Sequence, residues 1–595
     1  MKVTRETRRP NKSAIGPDTA LIILGCAVIV SCLAIWAAVT TGRFLAGMPV
    51  VADPAAALIR LAKGTYEWPW QSSVLLAAAL SIPTAVIAIA WRRISRRSRI
   101  DYAARTMQPI STLSGVTERD VTEIARRLMP EAVEIADRFV GVPLGLTVSG
   151  GQRVYLSWEM PATFVSGTRT GKTMAWAVPS ALCAPGALLS TSNKPDLYIH
   201  TRYGRERRGR VWLCDLQGVT GTRRAEFWWN PLRHIETLAD ARKLASFFST
   251  ASKEPGARVD AYFDGGACEL LSMYILAAAC ADGDLQHAAE WLGRDQDETP
   301  VLILRLRKHH NAARRIKEMQ SVTSRQRDGL FDMARRFLGS LSDQAYAQVV
   351  TPPARSKISV QGDERVGIVV TREQEPVTHN LPEFDPDAFV NSSDSLYPLS
   401  MEGPDSAAPL MTALVGQILE AALTSARRRP DGRLRVPLLA VLDEAANCCK
   451  LAELPNYYTY AGGHGLCLMT FLQVLEQGVQ IWGQEGLHKM FAQSVEVYGG
   501  GCGDTDYLRR WVDLIGPHEV ADTQISTGRG NTSYTRSWRS EPIFDVAELA
   551  ALPKERAVIR FPGNKPVLVR KTWWTETEFA ADIRRSIELY GGQQR

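Results

Sequence analysis

Two long stretches without charge open the chain. Ala20–Val39 (ALIILGCAVIVSCLAIWAAV) and the run from Val74 to Trp91 contain no Asp, Glu, Lys or Arg. At about 1.5 Å per residue the first run makes a helix of about 30 Å, the hydrocarbon thickness of a bilayer. The second carries Pro83, which a spanning helix tolerates when neighbours satisfy the freed carbonyl. A cleaved signal peptide has a shorter apolar stretch and no such second run behind it. Lys2, Arg5, Arg8, Arg9 and Lys12 precede the pair, and Arg92, Arg93, Arg96, Arg97 and Arg99 follow it. Only Arg43, Arg60 and Lys63 lie between them. This bias predicts a membrane hairpin with both ends facing the cytoplasm. Trp68, Trp70 and Trp91 flank the second run as interfacial anchors do.

Beyond the anchor the pattern changes. Short, charge-free and largely apolar runs at Ala162–Val165, 187–192 (ALLSTS), 436–442 and 466–473 read as strands. Residues 238–340 are Ala- and Arg-rich with helical spacing, as in ACELLSMYILAAACA, and carry few strand signals. A β-rich segment, AVIRFPGNKPVLVRKTWW, lies near the C-terminus.

The first of these strands runs into Ser166-Gly167-Thr168-Arg169-Thr170-Gly171-Lys172-Thr173, followed by the helix-like MAWAV. This is G-x-x-x-x-G-K-[ST] with Ser166 at the first Gly. Gly167 and Gly171 permit the tight turn in which backbone N–H groups wrap a β-phosphate. Lys172 can reach the β- and γ-phosphates, Thr173 can ligate Mg²⁺, and the helix N-terminus adds partial positive charge. A chance Gly/Thr-rich turn lacks this strand–loop–helix setting.

A second apolar run, VPLLAVL, ends in Asp443-Glu444. Adjacent carboxylates at such a strand end, downstream of a phosphate loop, have the form of a Walker B element. Asp443 would hold the Mg²⁺ shell and Glu444 would orient or deprotonate the attacking water. The 466–473 run ends in Gln473, the place of a polar sensor beside a γ-phosphate. A plain surface Gln is the competing reading.

Composition narrows the classes. Of 595 residues, 45% are apolar and 22% charged, which excludes a mainly disordered chain. Ten Cys form no C-x-x-C pair and nine His no H-E-x-x-H, so neither a disulfide scaffold nor a zinc site is expected. The net charge of +7 is misleading, because residues 1–100 carry +9 and the other 495 sum to −2. Overall charge therefore gives no support to nucleic-acid binding by the cytoplasmic part.

With these motifs in place, the chain resembles the TraG/TraD-type coupling proteins of type IV secretion and conjugation. The string LLAVLDEAANCCKLAELPNYYTYAGGHGLCLMTFLQ (438–473) resembles that family's Walker B stretch, and SGTRTGKT its phosphate loop. Lys194-Pro195-Asp196-Leu197 and Trp229-Asn230-Pro231-Leu232 resemble two further elements, and the two apolar runs resemble its anchor. Ser166 departs from the usual Gly, a replacement expected to loosen the loop. Gly462-Gly463-His464-Gly465 lacks the Arg the family often places there, so an arginine-finger role does not carry over to His464. Arg169 has no assigned chemistry.

The resemblance implies an α/β fold, a RecA-like P-loop NTPase domain with an inserted all-α domain behind a two-helix transmembrane anchor. The 271 residues from Lys172 to Asp443 independently require an insertion. The expected division is 1–100 anchor, 101–237 first part of the RecA-like domain, 238–345 insert, 346–575 second part and 576–595 tail. The resemblance further implies an ATP hydrolase using ATP and Mg²⁺. It implies a homo-hexameric ring at the bacterial inner membrane and, as partners, single-stranded DNA with its relaxase and the secretion-channel components. The alternatives are a protein-only or double-stranded-DNA pump, and a receptor that does not hydrolyse nucleotide; the Asp443-Glu444 pair argues against the last. Candidate DNA contacts are three basic clusters: Arg202, Arg205, Arg207, Arg208 and Arg210; Arg305 to Lys317; and Arg529, Tyr534, Arg536, Trp538 and Arg539. Each is otherwise a solvated face or a join between strands.

Overall fold

A computed structural model describes residues 32–77, 99–253, 261–362, 367–403, 406–528 and 531–594. The chain divides into two units, residues 107–515 with 544–595, and residues 1–106 with 516–543.

The larger unit is built on a sheet of twelve strands. They are β1 (Val142–Thr147), β2 (Arg153–Leu156), β3 (Ala162–Val165), β4 (Leu188–Thr191), β5 (Val211–Asp215), β6 (Arg224–Ala225), β9 (Ser395–Leu399), β10 (Leu438–Leu442), β11 (Leu466–Leu472), β12 (Val495–Tyr498), β15 (Arg556–Arg560) and β16 (Val567–Arg570). Two separate hairpins pair β7 (Ser356–Gln361) with β8 (Val369–Gln374), and β13 (Pro517–Gly528) with β14 (Asn531–Pro542). The spatial order is β2-β1-β16-β15-β12-β3-β11-β10-β4-β9-β5-β6. The seven strands from β12 to β5 run parallel. Helices cover both faces of such a sheet, which is why β3, β4, β9, β10, β11 and β12 are buried at every position and why β3, β10 and β11 read as nearly continuous apolar runs. Antiparallel strands close both sides. β11 stands between the loop strand β3 and the carboxylate strand β10.

Register sets the site. Leu442 pairs with Thr470 and Thr191, and Leu472 with Val165, so the carboxyl ends of β3, β4, β10 and β11 share one edge. In open parallel sheets that edge is where ligands bind. Beneath it Phe164 stacks on Phe471 with centroids 4.3 Å apart, and Trp176 packs on Phe164 at 5.2 Å.

Between β6 and β9 the chain leaves the sheet and returns beside its exit. Trp228 N–H donates to Pro382 O (3.0 Å) and Phe384 N–H to Trp228 O (2.7 Å). From Leu238–Ala251 to Gln344–Gln348 this excursion is helical. It then forms the β7–β8 hairpin, which packs on the helices: Arg355 pairs with Asp284 (2.7 Å), and His287 Nε2 lies 2.8 Å from Ser356 O. Among the described residues, two helices are long and apolar enough by length and composition to cross a membrane, Phe263–Cys280 and Ala408–Arg427. Both are mostly buried within this unit.

Residues 576–595, expected as a tail, contain the helix Ala580–Tyr590 docked on the helix Asp196–Glu206. Ser586 Oγ accepts from Tyr203 N–H (3.1 Å) and donates to Ile199 O (2.5 Å), Ile583 is fully buried, and Arg207 pairs with Asp582 at 3.1 Å.

In the smaller unit, the two expected spans fall largely outside the described residues. Of 20–39 only 32–39 is described, in the helix Cys32–Leu45, and of 74–91 only 74–77. The described end of the first span and the segment after it share a small core. Val39, Ala57 and Tyr66 are buried together, and Arg43 lies 4.0 Å over the Tyr66 ring while donating to Pro49 O and Glu67 O. The β13–β14 hairpin pairs in unbroken register from Pro517↔Pro542 to Gly528↔Asn531.

Candidate nucleotide site

The Ser166–Thr173 loop leaves β3 and turns into a helix at Thr173. Ser166 N–H donates to Leu472 O (3.1 Å) and Gly167 N–H to Gly500 O (2.9 Å), so the loop is held from both neighbouring strands. A Cβ at Gly167 would lie 2.2 Å from Gly501 O, which only Gly allows. Gly171 has φ +85° and Arg169 φ +59°. Thr168 and Arg169 are exposed, whereas Ser166, Gly167, Thr170 and Lys172 are buried. Ser166 does not loosen the loop. Its Oγ lies 2.6 Å from Thr170 Oγ1, which donates to Gly167 O at 2.7 Å. The space comes from Gly499, where a Cβ would meet Ser166 Oγ at 2.4 Å. Side chain and neighbouring glycine thus compensate for the departure from the motif.

β10 delivers the carboxylates to the same edge. Lys172 Nζ is hydrogen-bonded to Glu444 Oε1 and lies 3.7 Å from Asp443 Oδ1, although 271 residues separate Lys172 from Asp443. Asp443 Oδ2 accepts from Ser192 Oγ (3.4 Å), while its buried Oδ1 has no hydrogen-bond donor among the described residues. Burial pushes the Asp443 carboxyl up from its usual range, the Lys172 ammonium pulls it down, and the Glu444 charge raises it again. Glu444 sits in the left-handed region, φ 52° and ψ 45°. A non-glycine residue held there stores about 1–3 kcal/mol and persists only where its surroundings fix it. Here its carbonyl accepts from Asn447 N–H (2.8 Å) and Cys448 N–H (2.9 Å). Gln473 follows β11 directly and is half-buried, one residue beyond the Leu472 carbonyl that holds Ser166. Exposed Lys194 follows β4, its N–H bonded to Ser192 Oγ (3.2 Å), and its charge also lowers the Asp443 carboxyl.

Chemically, the edge presents a cation beside two carboxylates, backed by backbone N–H groups at a helix start. A buried carboxylate that accepts from the Ser192 hydroxyl through Oδ2 and keeps Oδ1 without a hydrogen-bond donor suits a hard divalent cation with oxygen ligands. Asp443 and Thr173 are the residues that would hold it.

Other candidates lie elsewhere. His464 precedes β11, at the end opposite Gln473, and its Nδ1 is bonded to Gly432 O at 2.7 Å. The first basic cluster is mostly internal bracing. Arg205 is fully buried and donates to Ser395 Oγ (2.6 Å) and to the carbonyls of Ala184 (3.0 Å), Gly186 (2.9 Å) and Ser393 (3.0 Å). Burial pushes it down to about 10, and Arg208, spent on the carbonyls of Leu182, Ala184 and Pro185, to about 9. Arg210 lies over the Trp212 ring at 3.5 Å. In the second cluster Arg315 pairs with Glu269 and Glu318, and Lys317 with Glu298. In the third, Arg529 lies outside the described residues, and Trp538 is exposed on β14.

Two parts of the site escaped the sequence reading. The triplet Gly499-Gly500-Gly501 forms the seat of the loop, and its signal was the glycine run itself after an apolar strand. Lys571, bonded to Thr170 O, had no local signal.

Compared with known proteins, residues 437–554 match the family model described as the TraM recognition site of TraD and TraG. No curated protein matches the chain. Among solved structures, the bacterial conjugative coupling protein TrwBΔN70 in its unbound monoclinic form is 17% identical with a TM-score of 0.49, covering 73% of this chain and 89% of that one. The plasmid coupling protein TrwB in complex with ADP and Mg²⁺ is 17% identical with a TM-score of 0.48, covering 72% and 88%. VirB4 of Thermoanaerobacter pseudethanolicus is 10% identical with a TM-score of 0.35, covering 73% and 96%.

Proposed function

We propose, from the resemblance to the TraG/TraD-type coupling proteins and the match of residues 437–554 to the model of their TraM recognition site, that the chain is a membrane-anchored ATPase. It couples a conjugative nucleoprotein, single-stranded DNA with its relaxase, to a type IV secretion channel and drives its translocation. The observation that carries this reading is the meeting of Lys172, Asp443 and Glu444 at one strand edge, with Asp443 Oδ1 in ion-pair range of Lys172 but without a hydrogen-bond donor among the described residues.

In this reading the loop N–H groups from Thr168 to Thr173 cradle the β-phosphate of ATP, while the Gly167 N–H stays on Gly500 O. Asp443 and Thr173 would hold Mg²⁺, which when bound would supply charge neutralisation at the phosphates. The ammonium of Lys172 transfers from Glu444 to the β- and γ-phosphates. That exchange leaves the Glu444 carboxylate to accept a proton from the attacking water, and Gln473 senses the γ-phosphate. Hydrolysis thereby depends on nucleotide having displaced the Lys172–Glu444 pair. The helical insert, the two N-terminal spans at the inner membrane, the six-membered ring and a TraM-type partner for residues 437–554 belong to the same proposal.

Lys172→Ala tests the binding half. Removing the one cation paired with both carboxylates is expected to weaken ATP binding by about 10-fold or more, since a hydrogen bond to a charged group is worth about 1.5–3 kcal/mol. A fluorescent-nucleotide titration reads this. Unchanged affinity would remove the loop from the nucleotide site.

A further inference from the structure

One buried cation beneath the loop takes no part in the chemistry above. Lys571 follows β16 directly and is fully buried. Its ammonium donates to Thr170 O at 2.9 Å and to Gly499 O at 2.8 Å. Thr170 belongs to the phosphate loop, and Gly499 opens the glycine triplet on which the loop rests. The ring of Trp176, on the helix leaving the loop, lies 4.9 Å from Nζ. Lys571 N–H donates to Glu555 O at 2.9 Å, which ties the segment to the start of β15. Two residues on, Trp573 covers Gly171, where a Cβ would meet its Cη2 at 2.4 Å and its Cζ3 at 2.5 Å.

A charge buried with carbonyl partners and no carboxylate bonded to it is costly to keep. Burial presses Lys571 down to about 7, with only the Glu555 charge opposing it. The position of Nζ gives that cost a purpose. In a trans peptide the carbonyl of one residue and the N–H of the next lie in one rigid plane and point in opposite directions. A lysine that pulls the Thr170 carbonyl inward therefore turns the Gly171 N–H outward, toward the phosphate cradle. The second bond, to Gly499 O, fixes the same plane relative to the end of β12.

We propose that Lys571 is a positioning residue for nucleotide binding, aiming the Gly171 N–H at the phosphates by holding the Thr170 carbonyl from behind. This rests on the phosphate-loop reading and extends the site to a segment 401 residues away in sequence.

The test uses the full chain in detergent with two variants, Lys571→Met, which keeps length and removes every donor, and Lys571→Gln, which keeps an N–H donor on a shorter stem. Calorimetry gives Kd for ATP and for inorganic tripolyphosphate, both with Mg²⁺, and thermal melting gives Tm for each protein. The expected result for Lys571→Met is a loss of about 10-fold for both ligands by the same factor, because the contact at stake is with phosphate. Lys571→Gln loses less, and it carries the test by the same measure if Lys571→Met does not fold. Affinities within twofold of wild type in the folded variants, whatever the fall in Tm, overturn the proposal and leave Lys571 a structural residue. Loss for ATP but not for tripolyphosphate also overturns it. A wild type that binds neither ligand overturns the nucleotide site itself, a separate and recognisable failure.

Discussion

Lys172 and Lys571 are two lysines with opposite surroundings. Lys172 faces two carboxylates, while Lys571 faces carbonyls and an indole. That contrast gives a pH prediction. The folded chain holds the Lys571 proton only up to about pH 7, whereas the unfolded chain holds it to about pH 10.4. Between those values the unfolded state binds more protons, so this group makes stability rise with pH across that window and contributes no slope below it. The loop contact survives the change, since a neutral amine still has two N–H groups for two carbonyls. Melting temperatures of wild type and Lys571→Met between pH 7 and 10 check this: the variant should lack that rising component. The loop and the Asp443-Glu444 pair were legible in sequence because each is a contiguous string whose chemistry is set by its neighbours. Lys571 was not, because its partners are supplied by strand order, and a lone lysine after an apolar strand reads as solvated.

At the scale of elements, charge-free and largely apolar runs marked β3, β10 and β11, since parallel strands buried on both faces leave no polar alternation. The β7–β8 hairpin was missed for the converse reason. Its strands are half or more exposed and mix polar with apolar positions, which resembles a loop. The Arg202–Arg210 cluster was misleading because charge density suggests surface, whereas Arg205 satisfies the carbonyls that end the helix Val178–Cys183 and flank β4 and β9. Arg205→Ala should therefore destabilise the protein by about 3 kcal/mol or more, by stranding several buried carbonyls at once. Arg314→Ala, on an exposed face, should stay within about 0.5 kcal/mol. Equilibrium denaturation of both variants measures the contrast, and equal small effects would return the first cluster to the surface.

For the molecule as a whole, the −2 charge of residues 101–595 leaves any DNA contact to local basic patches. With Arg205 and Arg208 committed internally, the β13–β14 hairpin is the strongest of the three candidates, carrying Arg536, Trp538 and Arg539. DNA stimulation of turnover should fall steeply with salt, by about −0.7 in log–log slope per phosphate contact on single strands. Arg529, Arg536 and Arg539 replaced together by Ala should flatten that slope; an unchanged slope would take the hairpin off the DNA. The full chain is the material for this assay. The measurement that bears most directly on the central claim is Mg²⁺-ATP turnover by the full chain and by Glu444→Gln, with and without single-stranded DNA. The predicted result is slow basal turnover accelerated by DNA in the wild type. Glu444→Gln should bind ATP normally but hydrolyse it about 100-fold more slowly, with no DNA response. Near-normal turnover by Glu444→Gln, or wild-type activity indifferent to DNA at low salt, would contradict it.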